Sequence, residues 1–256
     1  MGDVRFLRAG PPKSEVAMIQ RAGHWGFRRD DLQKSTLPAI MRFQRGGRRL
    51  EMYRASDSVR MTFVDPNDRP AAVGGNAFDE LRALTHGMNE TLLGLNATVQ
   101  PAHFAAPATR QTVGVPPDEV VIVRRRIVET RFKFGEFPGW GARLTVDFDD
   151  VERIQRVTLI WRDQRVSPAS ASAPLLDRQA AQHAYVKDFS GEYGITSDAD
   201  VSVDGPGYLF AAPDEVQAWI LPAYRARFPL QPGVPIKYYP ACSLDDMSAQ
   251  FSASWY

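Results

Sequence analysis

Apolar residues recur at every second position in several short runs of this chain, and that period limits its fold more than any other feature. The clearest runs cover residues 120–134, 144–148 and 157–161, with polar or charged residues at the positions between. Because successive side chains of a β-strand point to opposite faces of a sheet, each run predicts a strand with one buried and one solvated face. Short turns separate the runs, so we predict an antiparallel meander.

Earlier in the chain, two shorter alternating runs predict a β-hairpin with one apolar face. Leu50 and Met52 form the first run, and Val59, Met61 and Phe63 form the second. The sequence Ala-Ser-Asp-Ser lies between the two runs and is typical of a turn. Strand-like runs resume towards the C-terminus, over residues 201–203, 208–211, 216–224 and 235–239.

Three segments have the apolar period of an α-helix. The first follows the capping residue Ser14 and ends near Gly23, the second covers residues 76–94, and the third follows Asp177 and runs to residue 189. Strand-like runs come after each of them. We therefore predict an α+β fold of repeated modules, each a helix laid on an antiparallel sheet, and not a doubly wound parallel fold.

A proline-rich segment divides the chain. Residues 101–117 contain four prolines and little periodicity, which indicates a domain boundary. We predict an N-terminal α+β module at residues 1–100, which contains the hairpin, and one or more C-terminal modules at residues 112–256, which contain the meander. A chain of 256 residues is long enough to bury a large apolar core without disulfide bonds.

Basic residues are concentrated near the N-terminus. The net charge is only +1, but residues 1–60 hold 13 Lys and Arg against 6 Asp and Glu. Arg45, Arg48 and Arg49 lie just before or at the start of the predicted hairpin, and Arg49 shares its strand parity with Tyr53. One interpretation is a surface that binds phosphate groups or an anionic polymer such as nucleic acid. The other is a solvated strand face whose arginines protect an edge from pairing.

Aromatic residues indicate a second candidate surface. Residues 135–141 are rich in glycine and proline and predict a turn that presents Phe137 and Trp140. Trp161 and Trp219 fall on predicted strands, so we assign them to the core. An exposed aromatic turn beside unpaired strand edges offers a contact surface for a protein or an extended peptide.

The sequence lacks recognised catalytic and metal-binding motifs. Neither G-x-S-x-G nor H-E-x-x-H occurs, and the single cysteine, Cys242, excludes an internal disulfide and a multi-cysteine metal site. The acidic run at residues 198–204 departs from a calcium loop, because Val203 takes the place of the turn glycine and Leu209 that of the bidentate glutamate. We therefore predict no catalytic residues, no metal and no cofactor.

Two stretches carry a family resemblance. Residues 131–148, followed by Ile154 and Val157, run as strand, Gly-Pro turn, alternating strand and acidic corner, and they resemble PepSY-type modules. The second stretch resembles the closing strands of YycI-like regulatory proteins and comprises residues 208–210, residues 219–224 and the pair Pro240-Ala241. The resemblance implies a bacterial protein of cystatin-like modules that lies outside the cytoplasm and regulates other proteins. The family has no shared catalytic residues to assign here.

The residues favour a non-enzymatic protein-binding or regulatory module that acts through sheet edges and the turn at residues 137–140. Two other functions stay open. One is a hydrolase or transferase in which folding brings His103 or His183 next to a carboxylate. The other is a binder of anionic polymer through the N-terminal arginines. Residues 1–10 lack the apolar core of a signal peptide and no segment is apolar enough to span a membrane, so we expect a soluble chain.

Overall fold

The computed structural model describes residues 3–34, 38–73, 79–80, 102–106, 110–113, 120–123, 127–134, 137–166, 172–231 and 233–242. Two α-helices are described in full, α1 (Glu15–His24) and α2 (Arg178–Tyr193). The described strands are β1 (Asp3–Arg5), β2 (Leu7–Ala9), β3 (Ile40–Arg45), β4 (Arg48–Tyr53), β5 (Val59–Phe63), β6 (Ala102–Ala106), β7 (Arg110–Val113), β8 (Val120–Val123), β9 (Ile127–Phe134), β10 (Phe137–Phe148), β11 (Ile154–Ile160), β12 (Gln164–Val166), β13 (Ser172–Pro174), β14 (Ser202–Leu209), β15 (Trp219–Arg227) and β16 (Lys237–Pro240). Single 3₁₀ turns lie at Arg29–Asp31, Pro66–Asp68 and Asp198–Asp200.

Twelve of these strands form one large sheet. Its main path runs β12-β2-β15-β14-β10-β11-β5-β4-β3, with β16 added beside β15, β9 beside β10, and β6 beside β9. Among the pairings of the described strands, β10 with β14 alone is parallel, so the sheet is mixed but mostly antiparallel. Two small sheets, β1-β13 and β7-β8, stand apart from it.

The predicted fold of repeated helix-plus-sheet modules is wrong, because one sheet dominates the molecule and the described part contains two complete α-helices. Hydrophobic periodicity identifies a strand but not its neighbour. Met61 in β5 faces Val157 in β11, and Leu7 in β2 faces Ile220 in β15. Strands from both predicted regions, residues 1–100 and 112–256, therefore lie in the same sheet. The predicted helix at residues 76–94 lies outside the described residues, except for a helical Asp79-Glu80.

Strand β10 joins the two halves of the sheet. Its C-terminal part, around Thr145, pairs with β9 on one side and with β11 on the other, whereas Gly139 and Trp140 pair with β14. The change of partner occurs at Gly141. Its φ of +89° is a conformation that favours glycine, and a Cβ at this position would lie too close to the carbonyl oxygen of Phe210. We call β3, β4, β5, β6, β9, β10 and β11 the first wing, and β2, β12, β14, β15 and β16 the second wing.

The main core lies on the inner face of the first wing. Leu50, Leu144 and Val157 are each fully buried there, and α1 adds Met18 and Ala22. An aromatic cluster extends the core towards the second wing and contains Phe132, Phe134, Trp161, Tyr208 and Phe210. In this cluster the rings are stacked or meet edge to face, as aromatic pairs prefer.

Helix α2 packs on the second wing around a smaller core. Asp177 caps the helix by accepting a hydrogen bond from the backbone N–H of Gln179, and Tyr185 and Ala181 face β15. No helix in the described ranges is both long enough and apolar enough to cross a membrane.

Candidate functional site

Helix α1 and the turn between β4 and β5 border a cavity of about 350 Å³, which we call the α1 cleft. Ser14 starts the helix, because its hydroxyl accepts a hydrogen bond from the backbone N–H of Ala17. The helix buries Met18 and Ala22 and turns Arg21 towards the cleft. The cleft is lined by Lys13, Ala17, Met18, Gln20, Arg21, His24, Met52, Tyr53, Ser56, Asp57, Ser58, Trp161 and Asp163.

Asp57 is the centre of the charged wall of this cleft, and its side chain is only 9% exposed. Arg21 donates through Nη1 to one carboxylate oxygen and through Nη2 to the Asp57 carbonyl oxygen, the latter at 2.9 Å. The backbone N–H of Asp163 donates to the other carboxylate oxygen at 2.8 Å. Lys13 Nζ lies 3.7 Å from Asp57 Oδ2 and 3.3 Å from Asp163 Oδ2. These ion pairs and hydrogen bonds compensate the charge of the Asp57 carboxylate, which would be costly to bury alone.

The hydroxyl groups of the same turn are also fully engaged. Ser56 Oγ donates to the carbonyl oxygen of Pro213 at 2.8 Å. Ser58 Oγ donates to the carbonyl oxygen of Trp161 at 3.1 Å and accepts from its N–H at 3.0 Å. A nucleophilic serine needs a neighbouring base and an open approach, whereas these two hydroxyls tie the turn to other loops.

Arg162 holds this turn in place through hydrogen bonds to backbone carbonyl oxygens. Its guanidinium donates to the carbonyl oxygens of Ala55, Ala212 and Glu215 at 2.6–2.7 Å, and the residue is 3% exposed. Burial lowers the pKa of the Arg162 guanidinium, and the nearby carboxylates of Glu215 and Asp57 oppose that shift. The turn that carries Asp57 is therefore held rigidly between β11 and the loop before β15.

A second candidate surface is the outward face of the first wing, which we call the arginine face. Side chains of alternate residues in β3, β4, β5, β9, β10 and β11 project from it, opposite the buried ones. Its charged members are Arg42, Glu51, Arg49, Arg60, Glu129, Arg131, Lys133, Arg143, Asp147 and Arg156. Seven basic side chains against three acidic ones leave four positive charges in excess.

Several of these charges form ion pairs. Arg42 donates to Glu51 Oε1 at 2.9 and 3.1 Å, and Arg60 Nη1 lies 3.6 Å from Glu51 Oε2. Arg131 in β9 donates through Nε to Glu129 Oε1 at 2.6 Å, but it also lies directly opposite a like charge, Arg143 in β10. Directly opposed residues of an antiparallel pair have Cβ atoms about 5 Å apart, and like charges at that distance are destabilising.

The four candidate binding residues Arg45, Arg48, Arg49 and Tyr53 separate into two pairs. Arg45 Nη1 donates to the carbonyl oxygen of Gly26 at 3.0 Å, and the Arg48 guanidinium lies 5.7 Å from the centre of the Phe27 ring, so both contact the segment after α1. Arg49 and Tyr53 lie on the arginine face, and Tyr53 also borders the α1 cleft. Burial raises the pKa of the Tyr53 hydroxyl against the opposing charge of Arg60.

The prediction of an exposed aromatic turn is wrong, because Phe137 and Trp140 belong to β10. Trp140 is 8% exposed, donates through Nε1 to the carbonyl oxygen of Ala223 at 3.2 Å, and has the Arg225 guanidinium 4.4 Å from its ring centre. Its ring occupies space that a Cβ on Gly207 would need. Phe137 is half-buried. Gly139 and Gly141 therefore lie within β10 and allow Phe134 and Phe210 to pack closely against it.

The remaining sequence candidates do not converge on a cavity. His183 Nδ1 lies 2.9 Å from Asp198 Oδ2, but the His183 side chain is 83% exposed and lies on the surface. The side chain of His103 lies outside the described residues, and Cys242 is buried. Over the ranges that the structure describes, no group of three or more His, Cys, Asp or Glu side chains is placed to hold a metal ion.

Sequence reasoning missed the four charged residues of the α1 cleft. Lys13, Arg21, Asp57 and Asp163 come from three distant parts of the chain, and none belongs to a motif. The only local signal was Arg21, a long cation on a helix whose neighbouring residues are apolar. Neither a protein-family model nor a curated protein matches the chain. Its function must therefore be argued from these two surfaces.

Proposed function

We propose that this protein is a non-enzymatic binding module whose arginine face contacts an acidic protein or peptide. The opposed pair Arg131 and Arg143 carries the proposal. Like charges directly across an antiparallel pair cost stability, and on this face Glu129 is paired with Arg131, which leaves Arg143 opposite a cation. An arrangement that costs stability in the isolated chain is typical of a functional surface, where a partner supplies the missing charge.

The distribution of charge favours a protein over a nucleic acid. Glu51, Glu129 and Asp147 lie between the basic residues, so a continuous phosphate backbone would meet carboxylates as well as guanidinium groups. Nucleic-acid binding also uses exposed aromatic rings for stacking, and Tyr53, the aromatic residue on the described part of this face, is half-buried. Interspersed charges of both signs instead suit a protein surface, where they determine the register of the complex.

The α1 cleft supports binding rather than catalysis. A general base needs a lone pair that faces the substrate, whereas both carboxylate oxygens of Asp57 already accept hydrogen bonds from Arg21 and Asp163. The hydroxyls of Ser56 and Ser58 are engaged in the same way. These contacts argue against the hydrolase or transferase alternative at this cavity.

The contact surface differs from the one predicted from sequence. The outer edge of β3 is met by the preceding segment, where the N–H of Gln33 donates to the carbonyl oxygen of Arg42 at 2.8 Å and Leu32 bridges to Phe43. This leaves less edge for an added strand, and Trp140 is buried. The open face is therefore favoured over the edge at β3. A PepSY-type or YycI-like regulatory role outside the cytoplasm stays a prediction.

The test uses one substitution with opposite effects on stability and binding. Arg143→Glu places a carboxylate opposite Arg131, so we expect the free energy of unfolding to rise by about 0.2–1 kcal/mol. The same change should weaken binding of a fluorescent poly-L-glutamate peptide about tenfold, because a like charge now faces the ligand. Arg178→Glu, at an exposed position on α2, is the matched control and should change the affinity by less than about twofold.

Each outcome of this experiment bears on the proposal. Weaker peptide binding by a more stable variant supports the arginine face, since loss of fold cannot explain it. Equal losses for Arg143→Glu and Arg178→Glu would show that only net charge matters. Tighter binding to a poly-dT strand of equal charge than to poly-L-glutamate, in the same buffer, would favour the anionic-polymer alternative.

A further inference from the structure

We propose that the α1 cleft is a binding site for a free α-amino acid with an apolar side chain. The cavity of about 350 Å³ lies within the size range of small-molecule sites. It combines a charged wall with an apolar floor, and its four charged residues, Lys13, Arg21, Asp57 and Asp163, do not belong to the arginine face. If the α1 cleft binds no amino acid, the proposal that the arginine face binds a protein is unaffected.

The mouth of the cleft carries one accessible charge of each sign. The Lys13 side chain is 29% exposed and that of Asp163 is 41% exposed, with Nζ and Oδ2 3.3 Å apart. Arg21 and Asp57 lie deeper and neutralise each other. A simple anion at the mouth would meet the Asp163 carboxylate, and a simple cation would meet the Lys13 ammonium. A zwitterion satisfies both groups at once.

An α-amino acid has its ammonium nitrogen and carboxylate oxygens roughly 3 Å apart, because two covalently bonded carbons separate them. That spacing matches the separation of Lys13 Nζ and Asp163 Oδ2. The ligand carboxylate can therefore lie next to Lys13 and the ligand ammonium next to Asp163 without breaking the existing salt bridge. Each end then forms a charge-assisted hydrogen bond. Gln20, on the same helix, also lines the cleft.

The floor of the cleft determines what side chain the ligand carries. Met18 from α1, Met52 from β4 and Trp161 lie at its base with only 1–2% of their surface exposed, and the half-buried Ala17 and Tyr53 also line it. Thioether side chains are flexible and polarizable, and they adapt to apolar groups of different shape. An unbranched polar ligand would gain nothing from this floor, whereas leucine, methionine or phenylalanine would bury apolar surface on it.

The neighbouring contacts keep the site ready for the ligand. Asp57 is immobilised by Arg21 and by the backbone of Asp163, and its turn is anchored by Arg162. The backbone N–H of Lys13 donates to the carbonyl oxygen of Arg54 at 2.9 Å, which positions the lysine at the start of α1. Little conformational entropy is therefore lost when a ligand binds.

The experiment is an NMR titration of the ¹⁵N-labelled full chain with four probes. L-Leucine should shift the amide signals of Lys13, Arg21 and Asp163 saturably. N-acetyl-L-leucine lacks the ammonium, L-leucinamide lacks the carboxylate, and glycine lacks the apolar side chain. Each of these three should bind at least about tenfold more weakly than leucine, because each loses one charge-assisted hydrogen bond or the apolar contact.

Three variants locate the site. Lys13→Met and Asp163→Asn should each weaken leucine binding about tenfold, while Lys187→Met and Asp200→Asn, at exposed positions on or near α2, should change it less than about twofold. Ala17→Leu should abolish binding by filling the cleft. It retains every charge, so the proposal stays testable if a charge variant loses its fold.

Two results would overturn the proposal. One is the absence of saturable shifts at the cleft with about 20 mM leucine, a concentration at which even a ligand of this size should bind a preformed site measurably. The other is binding of leucinamide or N-acetyl-leucine as tight as that of leucine, since a site that ignores either charge does not recognise an amino acid.

Discussion

Replacing Asp57 with asparagine removes the anion that neutralises Arg21 while leaving the side-chain shape almost unchanged. Removing one partner of a buried ion pair costs about 3–5 kcal/mol, because the other charge stays behind without compensation. Here the Arg21 side chain is 13% exposed, and the asparagine oxygen can still accept one hydrogen bond. We therefore expect a loss at or just below the bottom of that range, about 2–3 kcal/mol in the free energy of unfolding.

Urea unfolding monitored by tryptophan fluorescence measures this loss, because Trp161 lies beside the turn and reports on its environment. In a chain of this length the same change should lower Tm by about 4–6 °C. The control is Glu15→Gln, which breaks the ion pair with Arg54. That pair is 3.5 Å long and its two side chains are 53% and 40% exposed. The control should cost no more than about 0.5 kcal/mol.

The double variant Asp57→Asn with Arg21→Met separates the ion pair from other effects. Because both charges are then absent, its loss should be smaller than the sum of the two single losses by at least about 1 kcal/mol. Losses that simply add, or an Asp57→Asn loss below about 1 kcal/mol, would refute the view that the pair joins α1 to the β4-β5 turn.

Two further predictions concern a buried carboxylate and a close approach of two strands. Burial alone would raise the pKa of Asp149, but hydrogen bonds from the Arg153 and Val151 N–H groups and from Arg69 lower it below its ordinary value. The stability that the ionised carboxylate contributes is complete above the unfolded pKa and is lost as the pH falls through the folded pKa. The loss of stability caused by Asp149→Asn, measured by urea unfolding, should therefore be full at about pH 6 and shrink below about pH 4. A Cβ at position 207 would lie 2.6 Å from the Trp140 ring, so Gly207→Ala should lower the free energy of unfolding by about 1–3 kcal/mol, whereas Gly191→Ala, at an open position on α2, should raise it by about 0.5–1 kcal/mol.

Local structure was predictable from the sequence wherever one residue type had one physical role. Ser14 and Asp177 cap helices as predicted, because a short side-chain oxygen at that position satisfies an unpaired N–H group. The strands β9, β10 and β11 form the predicted antiparallel meander, since alternation of apolar and polar residues allows one face to be buried. The hairpin of β4 and β5 is confirmed for the same reason.

The misreading of Trp140 shows where local reasoning fails. Glycine and proline around this residue are typical of a turn, but in the structure the glycines allow β10 and β14 to approach closely, and the indole fills the space. Glycine has the same sequence signature in both situations. The choice between them depends on which strand lies opposite, and that strand is formed by residues about 70 positions further along the chain.

The sequence alone determined the caps of α1 and α2, the strands of the hairpin and of the meander, which side of each is apolar, and the concentration of basic residues near the N-terminus, because these properties depend on neighbouring residues. Tertiary structure decided which strands pair, and thus that Arg131 opposes Arg143 and that one sheet replaces the expected modules. It also brought Lys13, Arg21, Asp57 and Asp163 to one cleft. Such contacts depend on long-range strand register, and a period of two or of 3.6 residues carries no information about it.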